Sequence, residues 1–306
     1  MVFLALASGC DSCPPDYHVI TSMRVLGTTN DPPVASPGGA VTVTARTADV
    51  DDRDVTVNWY RCPANLTLTA VASPEGELDA SSAVSACLTS GVFATGTSVR
   101  VSIDAEGGRL DAVPYRTRRR WTDLVGVACA GGDLEAPPKG GLWPRCTGSR
   151  SVVFTASIPG PTADGDTTAP LPASLVDFTL GSSPWSEAST PTVPRCEGSR
   201  ETCAPVTLRF NLVDAIIATE LTGFSTAILG PPDDGIVFLN YHVTAAAPAS
   251  TEYCESPDTA ATLRLFGPRA ELAWVPPSSS GEVTFWFTAR RYSGGLTITR
   301  RTVRVE

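Results

Sequence analysis

Apolar and polar residues alternate in short segments along this chain. In residues 40–50, Val41 and Val43 share one side of an extended backbone, and threonines occupy the other. The same period of two recurs over residues 55–62, where Trp59 lies on the apolar side. A period of two is typical of a β-strand with one buried face, and a tryptophan on an early strand is typical of a sandwich core.

Similar segments predict strands in both halves of the chain. They lie at residues 18–29, 98–103, 124–129 and 152–158, and then at 175–180, 205–213, 235–244, 261–266, 270–274, 282–290 and 296–305. Apolar residues follow a helical spacing only near 212–224, where Leu212, Ile216 and Leu221 predict a short helix.

A segment rich in proline, glycine and threonine separates the two sets of strands and predicts a linker. The predicted fold is all-β, with two immunoglobulin-like β-sandwich domains in tandem and one short helix near 212–224. The predicted organisation is an anchor segment at 1–13, a first domain at 14–158, the linker at 159–173 and a second domain at 174–306.

Composition supports this fold class and argues against nucleic acid as a partner. The chain has 306 residues, with 26 glycines, 26 prolines, 42% hydrophobic and 18% charged residues. That is too much apolar material for a disordered chain, and the turn-forming residues suit many short strands. The net charge of −9 repels phosphate backbones, so we expect no nucleic-acid partner.

The N-terminus bears on the cellular compartment. Residues 1–9 are a short apolar run ending in Ala7, Ser8 and Gly9, followed by Cys10, and this pattern resembles a bacterial lipoprotein signal. The resemblance implies lipidation of Cys10 and a place in the cell envelope, at the outer membrane or cell surface. No lysine or arginine precedes Cys10, so we expect the true start to lie upstream. The alternative is a buried N-terminal strand with a free cysteine.

The cysteine count fits export. Nine cysteines are present, and removing a lipidated Cys10 leaves eight, an even number that can pair completely in an oxidising compartment. Local spacing suggests three pairs and leaves a fourth: Cys62–Cys87, Cys129–Cys146, Cys196–Cys203 and Cys13–Cys254. The alternative, a zinc site at Cys10 and Cys13, has only His18 and His242 to complete it.

Several segments resemble uncharacterised surface lipoproteins that are numerous in myxobacteria and their relatives. The resemblance rests on Arg24-Val25-Leu26, Asp31-Pro32-Pro33, Pro37-Gly38-Gly39 and Asn58-Trp59-Tyr60-Arg61-Cys62 in the first half, and on Tyr241-His242-Val243-Thr244, Leu272-Ala273-Trp274-Val275-Pro276-Pro277 and Ala289-Arg290-Arg291-Tyr292 in the second. It implies immunoglobulin-like or fibronectin-like sandwiches behind a lipidated cysteine. It supplies no catalytic residue.

Two charged clusters are candidates for binding. Four carboxylates lie in one predicted turn, at Asp49, Asp51, Asp52 and Asp54. They suit either Ca²⁺, which prefers oxygen ligands, or a solvated acidic turn with Arg53 as counter-charge.

Arginines gather at Arg116, Arg118, Arg119 and Arg120, beside Tyr115 and Trp121. They suit contact with anionic lipid or polysaccharide, or else a charged edge strand that resists pairing.

No nucleophile elbow, phosphate-binding loop, metalloprotease or dinucleotide motif is present in the sequence. The favoured hypothesis is therefore a non-catalytic, lipid-anchored structural or interaction module that binds no cofactor apart from the candidate Ca²⁺, with an envelope protein or polysaccharide as partner. The alternative is a carbohydrate-binding surface protein using Trp121, Trp143 or Trp185. A third hypothesis is a hydrolase with His242 as its base.

Overall fold

The computed structural model describes most of both predicted domains. The described residues are 19–63, 82–103, 109–110, 119–139, 141, 143–162, 165, 167, 173–198, 200–213, 237–246, 261–266, 269–291 and 295–306. Within them the secondary structure is almost entirely β, with one helix of seven residues. The all-β prediction is confirmed.

The first half of the chain forms two antiparallel sheets that face each other. One sheet has the order β1-β2-β5, and the other β10-β7-β3-β4, with β6 also paired to β7. The strands are β1 (Arg24–Asp31), β2 (Ala40–Ala48), β3 (Val55–Arg61), β4 (Val92–Thr95), β5 (Ser98–Ser102), β6 (Arg109–Leu110), β7 (Arg119–Ala130) and β10 (Val152–Thr162). The helix α1 (Ser82–Leu88) lies between β3 and β4, and a small hairpin of β8 (Leu134–Glu135) and β9 (Arg145–Cys146) lies between β7 and β10.

The second half repeats this architecture. One sheet has the order β12-β11-β14-β17-β16 and the other β13-β19-β18-β15. The strands are β11 (Ser174–Leu180), β12 (Ser183–Pro184), β13 (Thr192–Val193), β14 (Val206–Val213), β15 (Val237–Val243), β16 (Ala261–Phe266), β17 (Arg269–Trp274), β18 (Gly281–Arg291) and β19 (Leu296–Val305). These pairings make two β-sandwiches in tandem, as the alternation predicts.

A glycine between two aromatic residues organises the first core. Trp59 on β3 and Phe154 on β10 are both in register with Gly126 on the strand between them. Because neighbouring strands lie about 5 Å apart, two side chains separated by a whole strand meet only if the middle residue leaves room. The Phe154 ring fills the space that a Cβ at position 126 would need, and it meets the Trp59 ring edge-on at a centroid distance of 5.4 Å.

The second core is a connected set of aromatic rings. Phe285 makes edge-to-face contacts with Trp274, at 5.0 Å, and with Trp185, at 5.8 Å. Phe287, on the same face of β18, contacts Phe210 at 5.0 Å. Each of these rings is buried, so the two sheets are held together by edge-to-face and tilted ring pairs rather than by aliphatic side chains alone.

The outer face of the first sandwich is covered rather than solvated. Tyr60, Val125 and Val127 point away from the main core, yet each is at most 4% exposed. They form a separate apolar cluster with the helix residue Val84 and with Val153. The period of two in β3 predicts only one buried face, and it therefore missed this second layer.

The two sandwiches contact each other through a small apolar cluster. Ile20 and Ala48 from the first half pack with Trp286 from the outer face of β18. The backbone N–H of Ile20 also donates a hydrogen bond to the carbonyl of Val243 at 2.8 Å. A Cβ at Gly27 would lie 2.7 Å from a methyl carbon of Leu296, so the Leu296 side chain packs directly on the Gly27 backbone. The described parts of the two sandwiches are thus packed against each other.

Three disulfide bonds are present among the described cysteines. They are Cys62–Cys87, Cys129–Cys146 and Cys196–Cys203, with S–S distances of 2.09, 1.97 and 1.98 Å. These three predicted pairs are confirmed. The fourth predicted pair, Cys13–Cys254, lies outside the described residues and stays a prediction.

Two expectations about local structure need correction. Leu212 and Val213 belong to β14, where Leu208, Phe210 and Leu212 are buried at a period of two, so the helical spacing there is coincidental. The remainder of the predicted helix lies outside the described residues.

The second correction concerns the linker, because β10 includes residues 159–162, which the composition assigns to it. Prolines are tolerated there because β10 pairs only with β7 and has a bulge between Pro159 and Thr162.

We predict that Gly126→Ala destabilises the protein by about 1–3 kcal/mol, because the new methyl group displaces the Phe154 ring from the core. Urea unfolding of the purified protein measures the loss. The matched control is the same substitution in a Phe154→Leu background, where a smaller side chain leaves room for the methyl group. An equal loss in both backgrounds would show that the ring contact is not the cause.

The domain boundaries stay a prediction, and limited proteolysis tests them. The segment at 163–173 offers few apolar side chains to bury, so we expect proteases to cut there first. After reduction, the digest should separate into two fragments on a denaturing gel. Without reduction it should run as one band, because Cys13–Cys254 would join the fragments. A single reduced core spanning Cys129 to Cys203 would contradict the two-domain boundaries, and two unreduced bands would contradict the fourth disulfide.

Candidate functional site

The predicted anchor lies outside the described residues. Cys10, Cys13 and Cys254 are all in segments whose structure is not described. Within the described residues, no helix is long and apolar enough to cross a membrane. The lipidation of Cys10 therefore stays a prediction.

Asp49 in the acidic turn is held by an arginine. Its side chain is 3% exposed and accepts hydrogen bonds from Arg53 Nε and Nη2, each at 2.7 Å, one to each carboxylate oxygen. The Arg53 backbone N–H adds a third bond at 3.1 Å. The hydrogen bonds from the Arg53 side chain lower the pKa of Asp49 below its ordinary value, against the effect of burial.

The rest of the acidic turn points to solvent. Asp51, Asp52 and Asp54 are exposed, and Asp51 lies 3.5 Å from Arg53 Nε. Among the described residues, no group of three or more histidine, cysteine, aspartate or glutamate side chains is arranged to hold a metal ion. This geometry favours the solvated turn with Arg53 as counter-charge over calcium, which stays an untested alternative.

The basic cluster does not lie on an edge strand where it is described. Arg119 and Arg120 begin β7, and β7 is paired with β10 on one side and with β3 and β6 on the other. Trp121 is in register with both Pro159 and Arg109. The edge-strand interpretation is therefore wrong for residues 119–121, because pairing on both sides is decided by distant segments. Tyr115, Arg116 and Arg118 lie outside the described residues.

His242 is part of a packed sheet face. It lies on β15, is 6% exposed, and is in register with Trp286 of the neighbouring strand. Trp286 in turn contacts the first sandwich through Ile20 and Ala48. His242 thus belongs to the buried outer face of this sheet rather than to an open cleft.

The three tryptophans proposed for carbohydrate binding have different environments. Trp185 is 2% exposed, and its indole N–H donates to the Thr302 carbonyl at 3.2 Å. It belongs to the core, so the expectation that it forms an exposed platform is wrong. Trp121 is half-buried in β7. Trp143 is half-buried and packs against the outer apolar cluster that contains Val153.

Trp143 lines a cleft beside the Cys129–Cys146 disulfide. The cleft has a volume of about 690 Å³, within the range of sites that hold small ligands. Its described lining lies within residues 138–153, which run from the segment after β8 through β9 to the start of β10. It consists of Pro138, Gly141, Trp143, Pro144, Arg145, Cys146, Thr147, Gly148, Ser149, Arg150, Ser151 and Val153.

Hydrogen bonds and the disulfide fix the shape of this cleft. Ser151 Oγ donates to the Pro144 carbonyl at 2.7 Å and accepts from the Cys146 N–H at 2.8 Å. The Thr147 N–H donates to the Asp133 carbonyl at 3.1 Å, so the chain just after β9 is bonded to the residue just before β8. The backbones of Gly131 and Gly148 are in direct contact, so a side chain at position 148 would collide with the Gly131 carbonyl. A cleft held in this way needs little reorganisation to bind a ligand.

The charge of the cleft differs from that of the whole protein. Its described lining includes Arg145 and Arg150 and has no aspartate or glutamate, whereas the chain carries a net charge of −9. Arg145 is exposed, and no described carboxylate lies within ion-pair distance of it. Glu135 is in register with Arg145 across the hairpin and is the nearest acid in the strand pairing. The described lining of the cleft is therefore basic and includes one tryptophan.

Sequence patterns did not single out this cleft. Trp143 was one of three equivalent tryptophans, and Arg145 and Arg150 lie outside the basic cluster at 116–120. The available signal was a tryptophan and two arginines inside and just after a loop closed by a local cysteine pair.

We predict that Arg53→Met lowers the urea midpoint of unfolding at neutral pH, because it removes both guanidinium donors from the buried Asp49 carboxylate and leaves only backbone N–H groups. The folded-state pKa of Asp49 is depressed, so the stabilisation is present above the unfolded pKa, about 3.9, and is lost as the pH falls through the lower folded value. The difference between wild type and variant should therefore be largest near neutrality and shrink in acid.

A difference that is constant with pH would contradict this role for the ion pair. Millimolar Ca²⁺ is a useful control, because a rise in the melting temperature of the wild type would favour the calcium alternative.

Comparison with known proteins adds little beyond the strand pairing. No protein-family model matches the chain, and no curated protein sequence matches it. The resemblance to myxobacterial lipoproteins therefore stays an expectation.

Solved structures that match are tandem immunoglobulin proteins. A chimeric titin Z1Z2 functionalized with a KLER exogenous peptide from decorin is 14% identical, with 92% of this chain and 98% of that chain covered and a TM-score of 0.23. Titin Z1Z2 in complex with telethonin is 11% identical, with 92% and 98% covered and a TM-score of 0.22. Tandem Ig repeats of Dlar are 6% identical, with 89% and 91% covered and a TM-score of 0.25. At these scores the fold assignment rests on the sheets described above.

Proposed function

We propose that this chain is a lipid-anchored, non-catalytic interaction module of a bacterial cell envelope, exposed at the outer membrane or cell surface. In this proposal the lipid on Cys10 holds the protein at a membrane. The paired sandwiches hold a binding surface away from it. The partner is an envelope protein or a polysaccharide.

The packing between the sandwiches is the observation that carries the proposal. Ile20 and Ala48 contact Trp286, and the Ile20 N–H bonds to the Val243 carbonyl across the same boundary. A spacer that positions a surface needs its domains held in a defined orientation, and buried contacts between domains provide that. The disulfides further support it, since each cross-link adds about 2–4 kcal/mol and persists in an oxidising compartment.

The carbohydrate-binding alternative is favoured by one specific observation. Trp143 lines a cleft, and aromatic side chains are common in the lining of sites that hold small ligands. Of the three tryptophans first considered, it is the one that lines this cleft. The hydrolase hypothesis gains no such support, because His242 is buried on β15 and does not line this cleft.

We predict that the protein expressed with a complete signal sequence partitions into the detergent phase, and that Cys10→Ala moves it to the aqueous phase. The reason is that acyl chains on Cys10 would supply the strong membrane affinity, since each buried CH₂ of a lipid chain contributes about 0.8 kcal/mol. Phase separation followed by immunoblotting measures the distribution. Cys13→Ala is the matched control and should stay in the detergent phase.

A wild-type protein found wholly in the aqueous phase would overturn the anchor. Chemical cross-linking of the anchored protein in intact envelopes, followed by identification of the captured molecules, then tests the interaction role. Cys10→Ala again serves as the control, because it should lose envelope partners while keeping its fold.

A further inference from the structure

The cleft beside the Cys129–Cys146 disulfide combines an aromatic wall, two arginines and a fixed backbone. We infer that it binds an acidic saccharide, with a uronic acid carboxylate on Arg145 and a sugar ring against Trp143. The inference rests on the proposed interaction role and names the ligand class of one site.

Charge selects the anion. The described lining carries Arg145 and Arg150 and no acidic side chain, in a chain whose net charge is −9. A guanidinium offers paired N–H donors whose geometry matches a carboxylate, and such charge-assisted bonds are about twice as strong as neutral ones. The net negative charge of the chain disfavours anions over the surface as a whole, and the arginines in this lining offset that effect locally.

The aromatic wall selects a ring with exposed C–H bonds. Trp143 packs against the outer apolar cluster and also lines the cleft. The face of an indole carries partial negative charge, so it attracts the C–H groups of a pyranose lying flat against it. It does not attract the anionic group itself, which is why the carboxylate is assigned to the arginine. A volume of about 690 Å³ has room for more than one sugar unit.

The fixed walls favour a saccharide over an acidic peptide. An extended peptide usually binds by adding a strand to an open sheet edge. The described lining contains the two-residue strand β9 and the start of β10, and its Ser151 and Thr147 hydroxyls are already bonded within the protein, at 2.7 and 2.9 Å. A strand of two residues offers too short a row of backbone donors and acceptors to pair with an extended peptide. An acidic peptide is accordingly the competing outcome of the test.

The experiment titrates the full-length protein with oligogalacturonate and with oligomannuronate, using isothermal calorimetry and tryptophan fluorescence. We expect binding of at least one of the two uronates, weakening as NaCl is raised. A neutral galacto-oligosaccharide of the same length should bind at least about tenfold more weakly, because it lacks the charged group that Arg145 pairs with. Equal affinity for the neutral sugar, or no binding of either uronate at millimolar concentration, would overturn the inference.

Variants locate the site. Arg145→Ala should weaken uronate binding about tenfold or more, and Arg145→Lys should recover part of the loss because it keeps the charge. Trp143→Ala should weaken binding of the same ligand by a similar factor. Arg100→Ala is the matched control, an exposed arginine on β5 outside the cleft, and should change the affinity by about twofold or less. Unchanged binding in both cleft variants would overturn the site.

Two further readouts separate the explanations. Thermal melting of each variant shows whether a loss of binding comes from unfolding, and a cleft variant that melts like the wild type keeps the test valid. An oligoglutamate peptide that binds as tightly as the uronate, with the same dependence on Trp143, would overturn the saccharide assignment. None of these outcomes depends on the anchor, since detergent partitioning of the wild type is measured independently.

Discussion

A buried indole N–H that finds no acceptor costs free energy, and both sandwich cores are arranged around that constraint. Trp59 donates to the carbonyl of Gly96 at 2.7 Å, and Trp274 donates to that of Ala245 at 3.1 Å. Trp185 donates to Thr302 at 3.2 Å. Each acceptor is a backbone carbonyl from another part of the same sandwich. The tryptophans therefore fill the core and also fix where distant backbone segments lie.

The same side chains link the core to the sheet edges. Trp185 precedes β13 in the chain and lies against β19. On this side of the sheet, β19 is paired only with β13, and only at residues 304–305. Arg301 on β19 donates to the Trp185 carbonyl at 3.3 Å and lies over the Phe178 ring at 4.4 Å. Burial lowers the pKa of Arg301, and the aromatic face and nearby Glu187 offset part of that cost. Side chains thus occupy an edge that another strand could otherwise pair with.

One outer face in each sandwich is covered by other parts of the chain. The outer face of the first sandwich is covered by α1 and by Trp143, from the segment between β8 and β9, and the outer face of β18 is covered by residues of the first sandwich. Beside the covered face of the first sandwich, Trp143, Arg145 and Arg150 line a cleft. The covered face of β18 is where the two sandwiches contact each other. Both surfaces arise because these sheets bury residues on two faces, while an isolated sandwich sheet needs to bury only one.

The local strand pattern was readable from the sequence, because side chains alternate with the pleat whatever the strand's neighbours. β2, β5, β14 and β17 to β19 lie where alternation predicts them, and three cysteine pairs follow from short loops. A period of two says which side of a strand is apolar, but it carries no information about what covers the other side.

Only the tertiary structure decided the features that depend on residues far apart in sequence. The clearest is Gly126, which in the sequence is a single glycine within an apolar strand. In the fold it is the gap through which Trp59 and Phe154 meet, and these residues are brought into one row by pairing across three strands. The cleft at Trp143 and Arg145, the burial of His242 and Trp185, and the pairing of β7 on both sides have the same origin. Sheet order and domain packing are set by many contacts between residues far apart in sequence, and a short segment of sequence carries no information about them.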